Sequence, residues 1–115
     1  MLEPGNVVLI AHRRMFAAEE PRYFLGQVIE FADGLAKVGG YTFVRDVSSG
    51  SFARKDDLRI KILSISSAGL IVYQLPDTTD VQATHFETVG SECYITDGVS
   101  LRINMSENLH HVAHV

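Results

Sequence analysis

Two apolar, β-rich runs that meet at Asp33-Gly34 constrain this chain more than any other feature. They extend from Arg22 to Arg45, and Asp-Gly between such runs is the strongest short-range hairpin signal a sequence carries. The stretch holds five of the ten aromatic residues: Tyr23, Phe24, Phe31, Tyr41 and Phe43. Gly26 interrupts the first run and Gly39-Gly40 the second. Glycine inside a strand marks a bulge, a sharp bend or the close approach of another backbone, and long ribbons bent by glycine are how small barrels turn their corners. A hairpin cannot bury its apolar face alone, so other strands must wrap onto it.

The flanking segments supply those strands. Val7 to about Arg13 opens with β-branched residues and ends in polar ones. The irregular segment that follows puts Arg13 and Arg14 beside Met15 and Phe16, either as a lid on the core or as an exposed basic–apolar edge. Ser51 to Lys55 is a short run. Leu58 to Ser66 begins as alternation, with Leu58, Ile60 and Ile62 on one face and Arg59 and Lys61 on the other. Leu70 to Leu75 is apolar on both faces, the pattern of a central, doubly covered strand. Thr84 to Val89 and Glu92 to Asp97 flank Gly90-Ser91, and Val99, Leu101, Ile103 and Met105 alternate inward against Ser100, Arg102 and Asn104. Helical periodicity, internal repeats and heptads are missing. Eight or nine short strands at about 8–12-residue spacing predict an all-β domain over residues 1–105. The expected form is a small barrel, SH3-like or related, with a C-terminal meander; a β-sandwich is the alternative. Residues 106–115 read as a polar tail bearing His110, His111 and His114.

At 115 residues the chain suits one domain with one core. Its longest apolar run, Val7 to Ala11, falls far short of the roughly 18 residues that span a bilayer as a helix. The first residues lack the pattern of a secretory signal, and a single Cys93 fits a reducing cytoplasm. The net charge of −4 is unevenly spread. Residues 1–61 hold nine Lys/Arg against eight Asp/Glu, whereas residues 62–115 hold only Arg102 against six acidic residues. Carboxylates stud the basic half, so it reads first as a mixed solvated surface.

The pattern does not point to catalysis. A Cys93–His85 pair would require the two residues on one hairpin face, with Cys93 opposite Glu87 and His85 on the diagonal, about 7–8 Å away. A thiolate needs its base at about 3 Å. Nucleophile elbows, phosphate-cradling glycine loops and dinucleotide fingerprints are not found, and the tail histidines have no third ligand or oriented second shell for zinc. No cofactor or metal is therefore expected.

Two binding classes remain. Tyr41, Phe43 and Arg45, with Arg54 and Lys55, interleave aromatics with cations as single-strand RNA- or DNA-binding barrels do. An acidic chain is a poor polyanion binder, so this is the second reading. The first is a non-catalytic interaction module. Strands apolar on both faces exceed what one barrel interior can cover, and a second copy, most simply in a symmetric dimer, or another protein partner would cover the surplus. Arg13 and Arg14 would edge such an interface.

Overall fold

The computed structural model describes residues 2–12, 22–46, 51–67 and 69–106. Nine strands follow in chain order: β1 (Val7–His12), β2 (Arg22–Ala32), β3 (Leu35–Arg45), β4 (Phe52–Arg54), β5 (Arg59–Ser64), β6 (Leu70–Leu75), β7 (His85–Val89), β8 (Glu92–Thr96) and β9 (Arg102–Asn104). They form two antiparallel sheets, so the protein is all-β. Among the described residues no helix is long and apolar enough to cross a membrane.

The chain reverses at Asp33-Gly34, with φ of 55° and 75° at the two residues. Two consecutive positive φ values define the turn whose twist matches that of the flanking strands. Behind it, β2 and β3 pair along their whole length, broken only by a bulge at Ile29. Gly26 and Gly40 face each other in this ladder. A Cβ at Gly26 would lie 2.2 Å from the Gly39 carbonyl oxygen, and one at Gly40 would lie 2.0 Å from that of Leu25. Only glycine permits the two backbones to come so close here.

The larger sheet runs β4-β3-β2-β1-β6, with β5 also on β3, alongside its first half. In a flat sheet β5 and β6 would sit about 19 Å apart, four strand spacings. Yet two successive turns, Ser67 N–H to Ser64 O and Leu70 N–H to Ser67 O, join them and can reach only about 14 Å. The sheet therefore curls. Its concave face encloses Val8, Ile10, Phe24, Val28, Ala36 and Val38, with Leu63 and Ile65 from one edge packing beside Leu70 and Val72 from the other. No ladder joins β5 to β6 among the described residues, so the curl stays open there.

The opposite face of the larger sheet carries Val7, Leu9, Tyr23, Leu25 and Phe43. The smaller sheet, β7-β8-β9, lies on it through Phe86, Cys93 and Ile95. Phe86 sits among Tyr23, Phe43 and Phe52, with ring centroids 4.9–5.3 Å away. Asp97 ties this cover down. Its buried carboxylate accepts the backbone N–H groups of Val99, Ser100 and Leu101 on Oδ1 (2.8–2.9 Å) and that of Asp80 on Oδ2 (2.9 Å). These donors hold its carboxyl far below the ordinary aspartate range.

Three expectations change. The doubly covered strand is β1, whose Val7 to Ala11 are all buried, whereas β6 is an edge strand. Val99 belongs to the loop that Asp97 organises and is 92% exposed, because β9 spans only Arg102–Asn104. Most importantly, the second apolar face of β1 and β2 does not wait for another molecule. The chain's own smaller sheet covers it.

Candidate functional site

The bend at Gly26/Gly40 carries the far half of the hairpin, with β5 alongside, beyond the reach of the smaller sheet. On this outer face Gly39 pairs with Ile60 and Lys37 with Ile62. Leu58, Ile60 and Ile62 are 60–67% exposed there, and Ile29 and Leu35 are nearly half exposed. Ile29 and Ile60 both lie over Gly39, where the missing side chain leaves room for them. The result is an apolar shelf made from one strand edge and one bulge. Glu30 and Lys37, paired in register, put both signs of charge on it.

Where the shelf meets the smaller sheet's approach loop, a cleft of about 280 Å3 opens between Gln27, Tyr41, Leu58, Thr79 and Gln82. The Thr79 hydroxyl is buried there and has no hydrogen-bond partner among the described residues. Gln82 anchors the loop from both ends. Its Nε2 donates to the Tyr41 hydroxyl at 3.0 Å and its carbonyl accepts Arg54 Nη1 at 2.9 Å. The Arg54 guanidinium lies 4.8 Å from the Tyr41 ring centroid.

The other face of β5 turns inward. Lys61 Nζ sits 4.6 Å above the Phe24 ring at the mouth of the curl. Burial, with Arg22 and Arg59 nearby, pushes the Lys61 pKa down. Burial, then Lys61 and Arg22, likewise lowers that of His12. Charge turned inward on an edge strand opposes strand addition by another chain. The shelf is thus a face for packing more than an edge for pairing.

The candidates drawn from sequence separate. Arg13 and Arg14 lie outside the described residues, as do His110, His111 and His114. Tyr41 and Arg54 come together, but as the clamp on Gln82. Phe43 is 1% exposed in the core and is thereby removed from any stacking surface, because the smaller sheet covers its face. Arg45 and Lys55 are exposed. In the β7–β8 hairpin Cys93 pairs with Thr88, one residue from the expected partner. That shift puts Cys93 in the core and leaves His85 on the outer face, bonded to Glu87 at 3.1 Å, so the two cannot act together. Burial also raises the Cys93 thiol pKa. Among the described residues no cluster of His, Cys, Asp and Glu is arranged to hold a metal ion.

Sequence reading had no means of choosing the exposed shelf. The alternation of Leu58, Ile60 and Ile62 is visible, but it does not say which face the fold covers. No protein-family model, curated protein or solved structure matches the chain.

Proposed function

We propose that the protein is a non-catalytic interaction module that self-associates through the apolar shelf of Leu58, Ile60 and Ile62. Its curled sheet is read as an open small barrel of the SH3-like kind, with β7–β9 as the meander that closes one side. The exposure of three alternating large aliphatics side by side on one face, with Ile29 and Leu35 beside them, carries the proposal. A second copy is the favoured occupant, because the shelf is self-complementary. It is apolar at its centre, and Glu30 and Lys37 on the same face let a two-fold axis bring opposite charges together.

The remaining exposed surface of each of the three residues is worth about 1–2 kcal/mol on burial, with Ile29 and Leu35 adding somewhat less. Counted on both copies this comes to about 9–18 kcal/mol, and set against an association cost of about 4–15 kcal/mol it supports a weak dimer with Kd on the order of 0.1–1 mM. A protein partner would use the same face.

The single-strand nucleic-acid reading has less support. Phe43 is core, and Arg54 covers the Tyr41 ring.

Sedimentation velocity across that concentration range tests the proposal with the wild type and an Ile60→Ser/Ile62→Ser variant. The expected result is a concentration-dependent dimer that the variant abolishes while its urea midpoint stays put, since both positions are at the surface. A wild type monomeric at several times that concentration, or a variant that dimerises equally well, overturns it.

A further inference from the structure

The curl gathers cations as well as apolar side chains. In register, His12 faces Leu70, Arg22 faces Val44, Arg59 faces Gly40 and Lys61 faces Val38. All four lie on the sheet face that holds Val8, Ile10 and Phe24. Three elements, β1, β2 and β5, thus bring one histidine, two arginines and one lysine to the same mouth. Among the described residues the carboxylate paired with any of them is Asp57, at 3.4 Å from Arg59 on the exposed side.

This grouping is not forced by a shortage of acids, since the chain carries 14 Asp/Glu to 10 Lys/Arg. On the smaller sheet, by contrast, charges do pair: Glu87 takes both His85 and Arg102. Like charges gathered with little counter-charge among the described residues destabilise a fold; burial first, and then this repulsion, depress the His12 and Lys61 pKa values. An anion at the mouth would relieve it.

We propose that the mouth formed by His12, Arg22, Arg59 and Lys61 binds the phosphate group of a small anionic ligand. Two guanidinium forks and an ammonium match a compact, polyvalent oxyanion. A nucleic-acid strand fits less well. Phe24, the aromatic ring at the mouth, is 1% exposed beneath Lys61, so no base can stack on it, and the rest of the surface is net acidic.

His12 supplies the readout. By reciprocity, an anion that binds beside it raises its pKa and binds more tightly when it is protonated. The test is an NMR titration of the His12 Cε1–H signal with sodium pyrophosphate, inorganic phosphate, glycerol phosphate and a short oligonucleotide. Each is compared with sodium chloride at matched ionic strength, and a His12→Gln variant assigns the signal. Saturating pyrophosphate is expected to raise the His12 pKa by about one unit, mirrored by binding about tenfold tighter below that pKa than above it. An Arg22→Gln/Lys61→Met variant should lose the response. Glycerol phosphate against inorganic phosphate then tells a phosphorylated metabolite from the free ion. A pyrophosphate response no larger than that of chloride, an undiminished response in the double variant, or binding of the oligonucleotide alone overturns the proposal.

Discussion

Gly39 and Gly40 are chain neighbours in β3, and alanine should have opposite consequences at the two positions. At Gly40 the new Cβ would stand 2.0 Å from the Leu25 carbonyl oxygen and 2.5 Å from the Gly26 Cα. Both obstacles are backbone, so no rotamer relieves the overlap. β2 and β3 would have to separate locally by more than 1 Å. Such overpacking costs about 1–3 kcal/mol, and parting the strands loses one or two ladder hydrogen bonds at about 1 kcal/mol each. The sum is about 2–5 kcal/mol, a large share of the ~5–15 kcal/mol that stabilises an ordinary domain. At Gly39 the nearest atom is Ile29 Cδ1 at 3.3 Å, the end of a flexible, half-exposed side chain. That methyl can swing away, and alanine gains from the lower entropy of the unfolded chain, so Gly39→Ala should fall within about 1 kcal/mol of wild type in either direction. Urea unfolding of both variants decides the matter, with thermal midpoints as a check. The expected drop is about 8–20 °C for Gly40→Ala, at about 4 °C per kcal/mol, and a few degrees at most for Gly39→Ala. If Gly40→Ala unfolds within 1 kcal/mol of wild type, or the two variants fall equally, the corner is not where the backbones meet.

Acid stability should track Asp97. Its folded pKa lies below the unfolded value of 3.8, so its contribution is present in full above about pH 5 and is lost as pH falls from there towards the folded value. Urea midpoints between pH 6 and pH 3 should fall more steeply in the wild type than in Asp97→Asn. The variant should also be weaker at neutral pH, where it lacks a second acceptor oxygen for the Asp80 N–H; parallel curves would refute this. Arg54→Ala removes the hydrogen bond to the Gln82 carbonyl and the cover on Tyr41. A loss of about 1 kcal/mol is expected, with faster amide exchange confined to residues 79–83. Unchanged exchange there would show that the clamp does not hold the loop.

Turns were the most legible part of the fold. Asp33-Gly34 and Gly90-Ser91 reverse the chain where the sequence places reversals, because positive φ at such sites is a property of one or two residues and needs no distant contact. Strand positions followed for the same reason, with shifts of a residue or two at their ends and of three at the start of β9. Gly26 and Gly40 were visible as interruptions, though not as partners facing each other across a ladder.

Faces were another matter. Period-two alternation says that Leu58, Ile60 and Ile62 share one side of a strand and Arg59 and Lys61 the other, and so they do. Which side meets water depends on what lies over it, and that is set by a sheet more than twenty residues further along the chain. The smaller sheet reaches Tyr23, Leu25 and Phe43 and stops short of β5. Aliphatics therefore stand outside while a lysine rests on Phe24, and four cations from three strands share one mouth. Backbone torsion is decided locally and can be read from neighbouring residues. Coverage is decided by long-range packing, and only the tertiary structure could assign it.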